Sequence, residues 1–211
     1  MDRITEEVFE IMNKRPQTLI FATSNEHKLS EIQDLLVDLP VKLRSLKDIS
    51  WNTEIEETGS TLEENSMIKA RTIYDALGES VFAEDTGLEV YALNMKPGVH
   101  TARYAGPQKN AVDNMNKLLH SLENQNDRRA RFRTVLTLIF GGKEYIYEGI
   151  CDGVIEKTMM GKGGFGYDPI FKPDGYDKTF GELADSIKNS ISHRSRAIYK
   201  MISALRNNNI L

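Results

Sequence analysis

The sequence predicts an α/β fold built on a mixed sheet, and two observations carry that expectation. In "TLIFATSNEHKLSEIQDLL", residues 18–36, the apolar period switches from strand to helix, as a strand–helix unit requires. Further on, "ARFRTVLTLIF", Gly141-Gly142 and "KEYIYEGICDGVIE" read as a long hairpin, so part of the sheet is antiparallel. The chain has 211 residues, 40% apolar and 27% charged, enough for one large domain or two small lobes with a substantial core.

The elements follow in order. Residues 1–16 carry a weak helical pattern (Ile4, Val8, Ile11, Met12) that stops at Pro16. They read as a surface helix, an extension over 1–17 before the domain proper at 18–211. Residues 18–22 are a short apolar strand, and Leu29, Ile32, Leu35 and Leu36 mark one face of the next helix. A second helix opens in "STLEENSMIKARTIYDAL", where Thr61 and Glu64 have the capping-box spacing. "VFAEDTGLEV", residues 81–90, reads as a strand and a turn at Thr86-Gly87, with room for a second strand. Val112, Met115, Leu118, Leu119 and Leu122 mark a third helix. After the hairpin, Ala197, Ile198, Met201, Ile202 and Leu205 mark the last.

Composition narrows the function. No apolar run approaches the roughly 20 residues of a membrane span. The acidic N-terminus does not resemble a secretory signal, and the single cysteine, Cys151, excludes an internal disulfide framework. A cytoplasmic location is expected. The net charge of −4 argues against a nucleic-acid polymer as partner. The one dense basic run, "DRRARFR" at 127–133, reads as a solvated turn entering a strand.

Five segments hold candidate chemistry. "TSNEHK", residues 23–28, sits at a strand-to-helix junction, where free N–H groups and the helix dipole favour a phosphate chain. By itself Asn25 could equally be a helix cap. "EIEETGST", residues 54–61, offers more carboxylates than one helix start needs, as a hard divalent cation would use. In "FAEDTGLEV", residues 82–90, Glu84 and Asp85 lie between apolar residues, where ionised acids are costly unless paired. Asp85 could be a turn acceptor, or a metal ligand that takes a proton from water. "GKGGFGYDPIF", residues 161–171, combines glycines for close approach with Phe165 and Tyr167 as faces for a base. "KNSISHRSR", residues 188–196, gathers cations at a helix start, against the dipole, which points to an anionic or carbonyl-bearing ligand.

In this order and spacing the segments resemble the inosine/xanthosine triphosphate pyrophosphatases, which act on purine nucleotides outside the standard set. "ATSNEHK", "EETG" and the following "EEN", "AEDTGL", "PGVHTARYAG", "GGFGYDPIF" and "ISHR" carry the likeness from about residue 18 to residue 205. The chain departs from that pattern at Ser24, at Ser186-Ile187 before Lys188, and at Ser195.

The resemblance implies a long mixed sheet flanked by helices, with two lobes around a central cleft, and a homodimer. It implies hydrolysis of ITP, dITP or XTP to the monophosphate and pyrophosphate, which cleanses the nucleotide pool. By the same resemblance, Thr23, Ser24, Asn25, Glu26, His27 and Lys28 cradle the triphosphate. Glu56 and Asp85 hold Mg²⁺, with Asp85 as general base and Thr86 beside it on the substrate. Phe165, Gly166, Tyr167 and Asp168 line the nucleoside pocket, while Lys188, His193 and Arg194 reach the 6-oxo group. The rival readings are a Maf-like pyrophosphatase for other modified nucleotides and a non-catalytic nucleotide-binding regulator.

Overall fold

The computed structural model describes residues 17–37 and 39–207, so the expected N-terminal helix lies outside the described residues. A seven-stranded mixed sheet runs in the order β2-β1-β3-β5-β6-β7, with β4 paired to β3. Its strands are β1 (Gln17–Phe21), β2 (Val41–Ser45), β3 (Val81–Val90), β4 (Lys96–Gly98), β5 (Arg129–Phe140), β6 (Lys143–Ile155) and β7 (Phe171–Pro173). The helices are α1 (Glu26–Leu36), α2 (Leu62–Leu77), α3 (Ala111–Ser121), α4 (Asp185–Ile191) and α5 (His193–Asn207). β1 is parallel to β2 and β3, while β5 is antiparallel to both β3 and β6. The sheet is therefore mixed, as expected.

Local chemistry accounts for the element ends. The capping box of α2 is formed: Thr61 Oγ1 accepts from Glu64 N at 3.1 Å, and Glu64 Oε2 accepts from Thr61 N at 3.2 Å. The β5–β6 hairpin turns at Gly141 and Gly142, with φ of 56° and 76°, the pair of positive angles that a two-residue hairpin turn requires.

One expectation is corrected here. Residues 81–90 form a single unbroken strand of ten residues, with no turn at Thr86-Gly87. Gly87 is called for by close approach instead: a Cβ there would stand 3.0 Å from the Gly98 carbonyl oxygen on β4.

Alternation along β3 sorts the core. Phe82 packs on one face with Leu136, Leu138, α1 and α5. Farther along the same face, Leu88 and Val90 join a second cluster with Met115 and Leu118 of α3, Phe171 and Phe180. Val81 and Ala83 face the opposite side, against Ala70 and Ile73 of α2. Two apolar clusters thus share one face of the long strands, and Glu84, Thr86 and Thr134 lie between them. That polar band separates the two lobes.

The edge of β3 is interrupted at the same level. β1 pairs with it only as far as Phe21 opposite Phe82, and β4 begins at Gly98 opposite Leu88. Ser80 and Phe82 turn their carbonyls toward β1, accepting from Ile20 N at 3.0 Å and Ala22 N at 2.8 Å. Leu88 N, on the same side, donates to Thr101 Oγ1 at 2.8 Å. By this alternation the N–H and C=O of Glu84 and Thr86 point into the gap.

Candidate active site

Glu84 and Asp85 are adjacent in sequence, but on a strand they face opposite sides of the sheet. Asp85 faces α2. Its Oδ1 pairs with Lys69 Nζ at 3.2 Å, and its Oδ2 accepts from Asn65 Nδ2 at 3.2 Å. Asn65 and Lys69 stand four residues apart, on one helical face. Lys69 also pairs with Glu57 at 3.2 Å, so two carboxylates converge on one ammonium group. Burial pushes the Asp85 carboxyl above its ordinary value, opposed by Lys69 and Lys28 and reinforced by Glu57. Such a group is a stronger proton acceptor than an exposed aspartate. The turn-acceptor reading of Asp85 falls with the turn itself.

Glu84 faces the cleft between the lobes and is 2% exposed. Its Oε1 lies 3.1 Å from Lys28 Nζ and 2.9 Å from Arg194 Nη2, and Arg194 Nε donates to both carboxylate oxygens at 2.9 and 3.0 Å. Burial alone would raise its pKa; Arg194 first, then Lys28, hold it down at about 2. The folded-state pKa is thus below the ordinary 4.5, so the stabilisation is complete above pH 4.5 and fades as pH falls toward about 2. We expect wild-type protein to lose stability over that acid window in chemical denaturation, and Glu84→Gln to flatten the loss. An unchanged acid profile in the variant would show that the pairs add nothing.

The ion pairs continue across the cleft. Arg194 also pairs with Glu31, three residues after Lys28 on α1. Glu31 pairs with Lys188 at 2.8 Å, and Lys188 with Asp168 at 2.7 Å. Asp168 accepts the N–H of Phe165 at 2.7 Å. Lys188 Nζ and Arg194 Cζ lie 4.7 and 5.6 Å from the Phe165 ring centroid, and the His27 ring stacks on Phe165 at 5.2 Å, 11° from parallel. The cations that looked unfavourable at a helix start are therefore compensated by Glu84, Glu31 and Asp168. They also occupy two helices rather than one: Lys188 is in α4, His193 and Arg194 in α5.

Asn25 caps α1, its Oδ1 accepting from His27 N at 3.0 Å and Lys28 N at 3.2 Å, while Thr23 Oγ1 accepts from Asn25 N at 3.1 Å. Ser24 and Glu26 are exposed beside them. The cap and the cleft-facing lysine thus coexist in one loop. On its far side the loop also borders a cavity of about 300 Å³, lined by Ser45, Lys47 and Trp51 among others. Thr86 Oγ1 lies 2.7 Å from Thr134 Oγ1 in the polar band. Gly166, with φ of 64°, follows Phe165 in a conformation that suits glycine.

Three further expected site residues lie outside this chain of ion pairs. Tyr167 is buried in the second lobe, its hydroxyl donating to the Thr101 carbonyl at 2.9 Å. His193 stacks on Phe132 at 4.6 Å, and burial, then Arg194, lower its pKa well below the usual histidine value. Its Nδ1 has no hydrogen-bond partner among the described residues. Glu56 is exposed, and it is Glu57 that meets Lys69. Sequence reasoning gives no role to Glu31 or Lys69, and holds Asn65 only as the end of "EEN" and Glu57 only as part of the acidic patch. Helical spacing offers the signal for the first two, Glu31 following Lys28 by three and Lys69 following Asn65 by four.

Among the described residues no three His, Cys, Asp or Glu groups converge as a metal cage. A divalent ion that takes one or two carboxylates and completes its shell with water and substrate phosphates needs no such cage. The convergence of Asp85 and Glu57 on a cation fits that demand.

The model of the Ham1 family matches residues 19–204. The chain belongs to the Ham1 family. One relative, a dITP/XTP pyrophosphatase of Flavobacterium johnsoniae, is 51% identical over 187 residues, covering 89% of this chain and 97% of its own. A dITP/XTP pyrophosphatase of Bacillus licheniformis is 45% identical over 190 residues, covering 89% and 97%. Among solved structures, a Ham1 protein from Coxiella burnetii superposes with a TM-score of 0.84 at 38% identity, covering 90% of this chain and 99% of the other. The Ham1 likeness therefore spans both lobes and every segment singled out above.

Proposed function

We propose that this Ham1 protein hydrolyses ITP, dITP and XTP to the monophosphate and pyrophosphate, and so clears deaminated purines from the nucleotide pool. The observation that carries the reading is Asp85, a buried carboxylate of raised pKa on the uncovered stretch of β3, within the electrostatic reach of Lys28. The relatives named dITP/XTP pyrophosphatase support the substrate class.

In this reading Asp85 Oδ accepts a proton from the water that attacks the α-phosphorus. Lys28 and Lys69 face the negative phosphate oxygens, and the loop from Thr23 to Lys28 borders the polyphosphate. Positioning and charge neutralisation supply most of the rate in such transfers. Mg²⁺, held by Asp85 with Glu56 or Glu57, adds further charge neutralisation when bound. Phe165 offers its ring to the purine, with Gly166, Tyr167 and Asp168 shaping that wall. Lys188, His193 and Arg194 form the donor side. A donor aimed at a 6-oxo group meets an amine in ATP, a mismatch that leaves buried polar groups unpaired. The rival readings are not favoured: the family match stands against a Maf-like enzyme, and the buried base beside cations has little use in a pure binder.

We expect Mg²⁺-dependent pyrophosphate release at least about tenfold faster with ITP, dITP or XTP than with ATP. Equal turnover of ITP and ATP would remove the purine assignment. Omitting Mg²⁺ is expected to abolish release, and full activity in EDTA would refute the metal. We further propose a homodimer, as the sequence resemblance implies, in the cytoplasm, as the composition of the sequence leads one to expect; a monomer in analytical ultracentrifugation at micromolar concentration would refute the dimer. Among the described residues no helix is long and apolar enough to cross a membrane.

A further inference from the structure

The ion pairs of the cleft form one continuous chain in which cation and carboxylate alternate: Lys28, Glu84, Arg194, Glu31, Lys188, Asp168. Its first member lies in the loop read as the phosphate site. Its last members hold Phe165, read as the purine platform. Glu84 is the junction, because a single oxygen, Oε1, serves both Lys28 at 3.1 Å and Arg194 at 2.9 Å. Both groups draw on the same negative charge, and in a buried site that competition is poorly screened by water.

We propose that Glu84 is a positioning residue that couples polyphosphate binding to purine recognition. An anion that draws the Lys28 ammonium toward itself leaves the Glu84 carboxylate to Arg194 alone. The guanidinium is then held by Glu84 and Glu31, and its orientation beside Phe165 is fixed more firmly. A site so ordered binds the base more tightly, because less conformational freedom remains to be lost. Base selection is thereby strongest on a triphosphate and weaker on fragments. This inference rests on the functional reading above, and its test separates the two.

The test uses the whole protein and two fragments, inosine and inorganic pyrophosphate, with affinities measured by titration calorimetry. Inosine is uncharged, so direct electrostatic attraction or repulsion between two net charges does not arise. In wild-type protein, saturating pyrophosphate is expected to tighten inosine binding at least about fivefold, and inosine to tighten pyrophosphate by the same factor. In Glu84→Gln the factor should fall to about one, and Glu84→Asp should restore part of it. Because Glu84→Gln removes a buried charge and risks misfolding, Lys28→Met provides a second probe from the more exposed end of the chain. It too should abolish the coupling.

Selectivity gives an independent readout. The ITP-to-ATP ratio of kcat/KM should drop in both variants, although neither Lys28 nor Glu84 is assigned to the base, and the double variant should drop no further than either single one. A purely structural role would lower both substrates equally and leave the ratio unchanged. Independent fragment binding in wild type, coupling that survives in Glu84→Gln, or additive losses of selectivity would each overturn the proposal. If wild-type protein hydrolysed none of the triphosphates, the functional reading itself would fall.

Discussion

Asp85→Asn is expected to lower ITP turnover by about 10²–10⁴-fold, the usual range for losing a general base. The substitution keeps the size of the side chain and the oxygen that accepts from Asn65 Nδ2. It removes the charge that Lys69 faces and the site to which a proton can move. Thermal stability should hold or rise, because Lys69 keeps its pair with Glu57, while burial already disfavours the ionised form of Asp85 and asparagine has no charge to desolvate. Single-turnover hydrolysis and a melting curve on one preparation check both halves. A folded variant with near wild-type turnover would overturn the mechanism; an unfolded one would assign Asp85 to the architecture instead.

The second large effect concerns stability. Arg194 is 1% exposed and pairs with Glu84 and Glu31. Arg194→Met fills much of the same space with an apolar chain but leaves Glu84 with Lys28 alone. Removing one partner of a buried ion pair typically costs about 3–5 kcal/mol, because the remaining charge stays desolvated. We expect a loss of that order in urea denaturation at neutral pH. The double variant Arg194→Met, Glu84→Gln should recover part of it. A change below about 1 kcal/mol in Arg194→Met would mean that solvent reaches Glu84, or that Lys28 compensates it fully.

Local signals are legible in the sequence. The capping box at Thr61 and Glu64, the hairpin at Gly141-Gly142 and the helix cap at Asn25 depend on groups a few residues apart, and spacing exposes them. The turn expected at Thr86-Gly87 is absent for a physical reason. Thr-Gly is acceptable turn chemistry, whereas the reason for glycine is a carbonyl on another strand, which no local window contains. The site divides in the same way. Segments rich in chemistry were found, but the pair between Glu31 and Lys188 spans 157 positions. Burying Glu84 required cations from two helices, and only the fold brings them together.

The opposed faces of β3 impose a length rule on the gene as well as a chemical rule on the protein. Period-two geometry assigns Glu84 to the cleft and Asp85 to α2. Replacing either residue affects one side of the sheet. Inserting or deleting one codon just before them would turn both acids to the opposite faces at once: an insertion sets Glu84 where Asp85 stood and moves Asp85 one place beyond, and a deletion sets Asp85 where Glu84 stood and moves Glu84 one place back. Neither side chain need change identity for the site to be lost. In this segment the reading frame of the strand therefore carries as much information as its letters, and single-residue insertions should be purged more severely here than most substitutions.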